Sequence, residues 1–222
     1  SVASRGLGDV YKRQEVDSVI YQPAVNKSWH PLYGERSTVR EAYNEATMYL
    51  SKKDGSNYRL NIEVRAYDEG IAFRYFFPEH PQAIFHKVVG DLTEYTFSPG
   101  AMAWAEQWAQ APFEHLAIND IKQPVERALT VELSNGLWVA LTDADVDDWC
   151  LTKLVASPTK QNTLTSVMYS PVDIVTYYAT PWKVIMAADK PGELLEHNDI
   201  IQNLNPPCLL YTSPSPRDAT LS

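Results

Sequence analysis

The sequence predicts an all-β fold, built as an antiparallel sandwich or barrel. The first observation is an alternation of apolar and polar residues with a period of two over residues 60–77 and 129–141. The second is turn chemistry within each stretch, Asp68-Glu69-Gly70 in one and Ser134-Asn135-Gly136 in the other. The third is that no window of about twelve residues shows the 3.6-residue apolar stripe of an amphipathic helix.

Two hairpins are the clearest elements. Residues 60–66 and 71–77 alternate on either side of the first turn, and residues 129–133 and 137–141 alternate on either side of the second. Asn135-Gly136 supplies the positive φ angles that a tight hairpin turn requires. Both stretches are therefore predicted to form antiparallel pairs.

Further strands are predicted on either side of the hairpins. Residues 172–178 are rich in β-branched and aromatic side chains, and residues 182–187 form an apolar run after Pro181. Residues 43–50 and 94–97 are weaker candidates. Alternation turns one face of each strand inward. The predicted core residues are Ile62, Val64, Phe73, Tyr75, Val131, Val139, Val175 and Val184.

Composition excludes some classes of protein. Among 222 residues, Lys and Arg total 19 and Asp and Glu total 28, which leaves a formal charge of −9. A chain without a basic excess cannot neutralise phosphates, so no nucleic-acid partner is expected. No apolar run approaches the roughly 20 residues that span a bilayer, so no membrane span is expected.

The two ends of the chain are related to each other. Residues 5–14 read RGLGDVYKRQ and residues 208–217 read CLLYTSPSPR. Codons can be chosen for the first segment so that their reverse complement, shifted by one base, encodes the second. We interpret both as one translated sequencing adapter, which predicts tails at residues 1–14 and 208–222 around natural sequence at residues 15–207. Few buried contacts are expected in the tails, and a signal peptide would not be observable.

The sequence contains only weak motifs for metal binding or sugar binding. Asp143, Asp145 and Asp147 match the opening of an EF-hand loop, but Asp148 takes the glycine position and Leu154 the final acidic position. The aromatic segment 104–113 could stack on sugar rings or serve as core or interface material. No histidine pair has the i, i+4 spacing of a helical zinc site. The residues alone indicate an acidic, aromatic-rich β-sandwich.

Several segments together resemble the N-terminal domain of glycoside hydrolase family 97. Their order and their spread over residues 29–207 make the set specific. They are Trp29-His30-Pro31-Leu32-Tyr33-Gly34-Glu35-Arg36-Ser37, Ala42-Tyr43-Asn44-Glu45, Arg65-Ala66-Tyr67-Asp68-Glu69-Gly70-Ile71-Ala72-Phe73-Arg74-Tyr75, Thr180-Pro181-Trp182-Lys183-Val184-Ile185 and Asn203-Leu204-Asn205-Pro206-Pro207.

The resemblance implies an antiparallel β-supersandwich of the aldose-epimerase type. In the family this domain packs on a catalytic (β/α)₈ barrel, which carries the catalytic carboxylates and a calcium ion, and a C-terminal β domain follows. Members are bacterial α-glucosidases and α-galactosidases that act on oligosaccharides, either inverting or retaining. The chain is therefore expected to be a partial, inactive domain of a calcium-dependent, periplasmic or extracellular enzyme, with the barrel as its partner.

One metal ligand is carried over from the family. Members place an aromatic-Glu pair shortly after a Trp-containing stretch, and the Glu reaches the calcium. Here Trp104 and Trp108 precede Phe113-Glu114, so Glu114 is the expected calcium ligand, exposed and on a loop. The alignment can slip to Glu106. The chain also has Asp143-Ala144 where members often have Glu-Ala.

Two other functions stay open at the level of sequence. One is a free-standing carbohydrate-binding module. The other is an aldose-epimerase-like enzyme, which would need a histidine and a carboxylate converging on the concave face to move a proton. A shared fold cannot decide between them, because function depends on the residues of the site.

Overall fold

A computed structural model describes residues 14–32, 34–56, 58–80 and 84–205. The predicted tails lie outside these residues except for Gln14, which begins the first strand. The described residues form sixteen strands: β1 Gln14–Tyr21, β2 Val25–Trp29, β3 Val39–Lys52, β4 Arg59–Tyr67, β5 Gly70–Phe77, β6 Phe85–Val88, β7 Glu94–Thr96, β8 Met102–Ala105, β9 Glu114–Ala117, β10 Leu129–Glu132, β11 Trp138–Ala144, β12 Thr152–Ala156, β13 Thr163–Met168, β14 Val172–Val175, β15 Tyr178–Ala179 and β16 Trp182–Ala188.

Helical structure in the described residues is short. A 3₁₀ turn covers Ile118–Asp120, and two helices, α1 (Glu193–Glu196) and α2 (Asp199–Leu204), follow β16. They have 4 and 6 residues, which is too short for the apolar stripe of a long helix to show in the sequence. No helix in the described ranges has the length and apolar character to cross a membrane.

One large sheet organises the fold. Its order is β1-β3-β4-β5-β16-β11-β10-β8-β9, with β15 added to β5 and β2 added to β3. A three-stranded sheet, β12-β13-β7, and a two-stranded ribbon, β14-β6, complete the strands. The strand pairings are antiparallel. The predicted all-β antiparallel sandwich is confirmed.

Both predicted hairpins form. In the first, Val64 lies opposite Phe73, and in the second Val131 lies opposite Val139. Gly136 adopts a φ of 87°, but Asn135 does not have a positive φ, so the expectation of positive φ at both residues holds for the glycine alone. Gly70 has a different reason to be glycine, because a Cβ there would collide with the carbonyl oxygen of Ile185 on β16. The close approach of two backbones therefore excludes any side chain at residue 70.

The central strands of the large sheet bury residues on both faces, whereas β1 at its edge is almost wholly exposed. One face packs on the three-stranded sheet, in a cluster that includes Leu129, Leu141 and Leu154. The other face carries Trp182 and Val184 and is covered by the two short helices, in a cluster of Ala72, Ala140, Ala144, Trp182, Val184, Met186, Ala188, Leu194, Ile200 and Leu204. We call this second side the helical face.

The predicted core residues fall into three groups. Val131 and Val184 are fully buried, with 0% and 1% of their surface exposed. The others on the large sheet are partly buried: Ile62, Val64, Phe73, Tyr75 and Val139. Val175 is wrong as a core residue, because it is 51% exposed while Ile174 is 2% exposed. Neighbouring residues of a strand face opposite sides, and β14 turns Ile174 inward and Val175 outward.

Candidate functional site

An early segment of the chain, residues 29–40, meets a late one, residues 196–203, on the helical face. The indole nitrogen of Trp29 donates a hydrogen bond of 2.8 Å to Oδ1 of Asn203, and Nδ2 of Asn203 donates one of 2.7 Å to the carbonyl of Arg40. Arg36 donates to Glu196 Oε2 at 2.9 Å and to Asp199 Oδ2 at 3.1 Å. These contacts hold α1 and α2 against the loop between β2 and β3.

A stack of cations and rings lies on the same face. The Arg65 guanidinium lies 4.5 Å from the ring centre of Tyr43 and 4.8 Å from that of Trp182. Arg74 covers Trp182 as well, at 4.4 Å. The ion pairs Arg65–Glu45 and Arg74–Glu63, both 2.6 Å, neutralise the two cations. Residues from four separated segments therefore stabilise one another, which makes this cluster structural.

Two buried ion pairs connect the large sheet to elements of the opposite layer. Arg127 pairs with Asp143, which also accepts a hydrogen bond of 2.6 Å from Thr152 on β12. Lys183 pairs with Asp91, whose carboxylate accepts a further bond from Thr93. The side chains of Arg127 and Lys183 are each 5% exposed. Burial alone would raise the pKa of Asp91, but the Lys183 ammonium and the hydrogen bonds hold it below its ordinary value.

The acidic segment after β11 does not form an EF-hand. Asp143 is committed to Arg127, and Asp145 lies 3.5 Å from Arg74. The Tyr178 hydroxyl donates to the carbonyl oxygens of Asp147 and Asp148 at 3.0 and 3.1 Å. No group of three metal-ligating side chains occurs in the ranges that the structure describes. The segment is thus held by cations and a tyrosine rather than arranged around a metal.

Glu114 begins β9, at the edge of the large sheet. Its side chain is exposed, as expected, but it lies on a strand and not on a loop. Its carboxylate makes no hydrogen bond or salt bridge within the described residues, so the carboxylate is available to a ligand. It lies opposite Ala105, the last residue of β8.

The alternative position, Glu106, lies at the same corner of the sheet. It directly follows Ala105 and is partly buried. Its carbonyl oxygen accepts a hydrogen bond of 2.8 Å from the backbone of Glu126. The strand register thus brings both candidate carboxylates to one edge, and Glu114 is the more exposed of the two.

Aromatic side chains surround this corner. The rings of Trp104 and His115 stack with centroids 4.4 Å apart and planes inclined by 16°. Nε2 of His115 lies 3.8 Å from Oε2 of Glu132. Trp104, Trp108 and Phe113 are 41%, 55% and 60% exposed, so this aromatic segment is surface and not core. Exposed apolar patches of this kind mark interaction sites.

Sequence reasoning missed three features of the site region. These are the hydrogen bond between Trp29 and Asn203, the buried ion pairs and a pocket beside Tyr58. The sequence shows that acidic and basic residues are present, but it does not show which of them pair, because the partners lie far apart in the chain.

Comparison with known proteins assigns the family. The model described as Glycosyl-hydrolase 97 N-terminal matches residues 10–207. A glycoside hydrolase family 97 enzyme from Pseudoalteromonas sp. strain K8, solved in complex with panose and with acarbose, has a TM-score of 0.81 at 23% identity. The alignment covers 87% of this chain and 30% of that enzyme. The crystal structure of a beta-arabinopyranosidase has a TM-score of 0.70 at 17% identity, covering 79% of this chain and 32% of the other.

Proposed function

The chain belongs to the glycosyl-hydrolase 97 N-terminal family, and we propose that it is the non-catalytic N-terminal domain of a calcium-dependent glycoside hydrolase. The active site of that enzyme lies in a (β/α)₈ barrel that packs against this domain. The proposal draws support from coverage, since the chain spans about 30% of the length of the family 97 structures it matches. The parent enzyme is periplasmic or extracellular.

The observation that carries the proposal is the unpaired carboxylate of Glu114 at an exposed, aromatic corner of the sheet. Most acidic groups described above are held by Arg or Lys, whereas this one has no partner within the described residues. Trp104, Trp108 and Phe113 give the corner the apolar surface that a packed neighbouring domain requires. The barrel is the proposed occupant.

The Glu114 carboxylate fits the role of one ligand to a calcium ion that is shared between two domains. Calcium takes about 6–8 oxygen ligands, and one carboxylate cannot supply that number. Glu114 would contribute one oxygen, and barrel carboxylates the remaining protein ligands. When bound, the ion supplies positive charge close to the reacting glycosidic bond. On this chain, the role of Glu114 is to donate an oxygen and to link the two domains.

The substrates we propose are α-glucosides or α-galactosides. The complexes of the Pseudoalteromonas enzyme with panose and acarbose support an α-glucoside. The similarity to a beta-arabinopyranosidase indicates that the same sandwich accompanies enzymes with other substrates. Substrate choice is therefore assigned to the barrel.

One observation favours a second function. The exposed rings beside Glu114 would also suit a free-standing carbohydrate-binding module, since flat aromatic rings pack on sugar rings. Such a module would bind oligosaccharide through this corner without a barrel. An aldose-epimerase-like activity would have to rest on His115 and Glu132, the histidine and carboxylate that lie 3.8 Å apart.

A calcium titration of the parent enzyme tests the proposal. Glu114→Gln keeps the shape of the side chain and removes its charge, so calcium affinity and activity at limiting calcium should fall, with partial recovery at high calcium. Glu79→Gln, at another exposed glutamate, is the matched control and should behave as the wild type. If Glu114→Gln shows the wild-type calcium dependence, Glu114 is not a ligand and Glu106→Gln becomes the decisive variant.

A further inference from the structure

The loop between β8 and β9, residues 106–113, forms much of the aromatic corner and ends directly before Glu114. Trp108 and Phe113 within it are 55% and 60% exposed, so the loop buries little apolar surface of its own. A hydrogen bond of 2.8 Å from the N–H of Ala111 to the carbonyl of Trp108 closes a turn inside the loop. Segments with few buried contacts open locally at low free energy, so the shape of this loop depends on how it is anchored.

Two hydrogen bonds anchor the start of the loop. The N–H of Glu126 donates to the carbonyl of Glu106 at 2.8 Å, and Nζ of Lys153, on β12, donates to the carbonyl of Gln107 at 2.7 Å. The residue before Glu126 is itself joined to β12 by two backbone hydrogen bonds of 2.8 and 3.0 Å. The segment at Glu126 therefore connects β12 to the loop, and Lys153 adds a second connection.

Lys153 makes a further contact that fixes its ammonium group. Its Nζ lies 2.8 Å from Oε1 of Glu126, and the side chains of the two residues are only 19% and 15% exposed. The ammonium is thus shared between a carboxylate and the carbonyl of Gln107. Hydrogen bonds from a charged donor are about twice as strong as neutral ones, and burial reduces their screening by salt. Lys153 is therefore a stronger anchor than a lysine in an exposed surface pair.

The anchored residues lie close to Glu114 across the β8–β9 pair. Glu114 lies opposite Ala105, and Glu106 and Gln107 directly follow Ala105 in the chain. β9 has 4 residues and lies at the edge of the large sheet, so its pairing with β8 can fray from this end. A loosened start of the loop would therefore let the direction of the Glu114 carboxylate vary.

We propose that Lys153, together with Glu126, is a positioning residue for the calcium site. It holds the loop of residues 106–113 in the shape that presents Glu114 and the aromatic corner to the barrel. Lys153 touches neither the ion nor the substrate and acts through the carbonyl of Gln107. The inference rests on the proposed function, because it takes Glu114 as the calcium ligand. Calcium affinity then depends on a residue of the three-stranded sheet that lies outside the metal site.

Hydrogen exchange of this chain tests the anchoring without calcium. Lys153→Met removes the ammonium, so the amides of residues 106–113 should exchange about tenfold faster than in the wild type, as expected for a lost charge-assisted hydrogen bond. Lys153→Arg keeps a cation that can reach both acceptors and should stay closer to the wild type. Lys87→Met, at a lysine whose exposed pair with Asp173 spans 4.0 Å, is the control and should leave exchange of the loop unchanged. Wild-type exchange of the loop in Lys153→Met would overturn the proposal.

Calcium titration of the full-length parent separates positioning from general stability. Lys153→Met should weaken calcium affinity about tenfold, as is typical when a group that orients a metal ligand is removed. It also leaves Glu126 mostly buried without its cation, which lowers stability. Adding Glu126→Gln removes that unpaired charge, so stability should recover while calcium affinity stays low. Recovery of both in the double variant would show that the pair acts through stability alone, contrary to the proposal.

Glu114→Gln, titrated in parallel, distinguishes failure of this inference from failure of the proposed function. If Glu114→Gln weakens calcium binding and Lys153→Met does not, the proposed function stands and the positioning role is overturned. If neither variant changes the calcium dependence, both are overturned. Faster exchange of the loop in Lys153→Met would then place the error in the choice of metal ligand and not in the anchor.

Discussion

The indole nitrogen of Trp29 donates a hydrogen bond of 2.8 Å to the side-chain oxygen of Asn203, 174 positions later in the chain. Because Asn203 also donates to the carbonyl of Arg40, one side chain connects α2 to both β2 and β3. The last helix is thereby held where the chain leaves the sandwich.

Removing the Asn203 side chain should therefore destabilise the domain. Asn203→Ala breaks both hydrogen bonds and leaves the Trp29 N–H without its acceptor, so the free energy of unfolding should fall by about 1–3 kcal/mol. Urea denaturation of the purified chain measures the change. The neighbouring Gln202→Ala variant lies on the same helix without either bond and should change stability by less than about 0.5 kcal/mol. Equal effects of the two variants would show that the bonds add nothing specific.

Trp182 is the largest fully buried side chain of the helical face, with 2% of its surface exposed. Trp182→Ala removes its packing and the ring faced by Arg65 and Arg74, so we expect a loss of about 3–5 kcal/mol. Trp182→Phe retains a ring and should lose less. Trp108→Ala, at a tryptophan that is 55% exposed, is the control and should leave the unfolding midpoint of the isolated chain almost unchanged. A large effect at Trp108 would place it in the core, contrary to the structure.

The buried pair Asp91–Lys183 should make stability depend on pH at the acidic end. The pKa of Asp91 is lower in the folded chain than in the unfolded chain, so its contribution is complete above the unfolded pKa of about 3.9 and is lost as pH falls through the folded pKa. Unfolding free energies measured between about pH 2 and pH 7 should decline below about pH 4.

A pair of variants identifies Asp91 as one source of that decline. Asp91→Asn leaves the Lys183 ammonium buried without its anion and should cost about 3–5 kcal/mol at neutral pH. Adding Lys183→Met removes the unpaired charge and should restore part of the loss, with a shallower acid dependence than the wild type. An unaltered acid limb in the double variant would assign the pH dependence to other carboxylates.

The isolated chain should not hydrolyse glycosides. Purified residues 15–207 should give no turnover of p-nitrophenyl α-glucoside or α-galactoside with or without calcium, because the proposed catalytic carboxylates belong to the barrel. The full-length parent, assayed in parallel, is the positive control. Turnover that co-purifies with the chain and survives removal of contaminating glycosidases would contradict the assignment of catalysis to the barrel.

Short-range patterns predicted much of the architecture. The hairpins of residues 60–77 and 129–141 are found because alternation and turn chemistry are encoded within a few neighbouring residues. The same pattern failed at Val175, where it indicated a strand correctly but not which of two alternating faces is buried. The two helices after β16 were not predicted, since 4 and 6 residues are too few to show a period.

The candidate site was only partly accessible from sequence. Glu114 was expected through a resemblance to a family, and the structure adds that it is exposed, unpaired among the described residues and opposite Ala105. The loop expected for it is a strand, because β9 pairs with β8 in a register that no local pattern encodes. The pocket beside Tyr58 gave no signal, since β1, β3, β4, β5, β6 and a residue after β14 all contribute to it.

By itself, the sequence determined the all-β class, the two hairpins, the acidic balance and the family, because each depends on neighbouring residues or on the order of short segments. The tertiary structure alone decided that Asp91 pairs with Lys183 and Trp29 bonds to Asn203, 92 and 174 positions apart. It also decided that the carboxylate of Glu114 has no partner among the described residues. Such contacts depend on the path of the whole chain, because residues distant in sequence meet only after many strands have paired and buried their common faces.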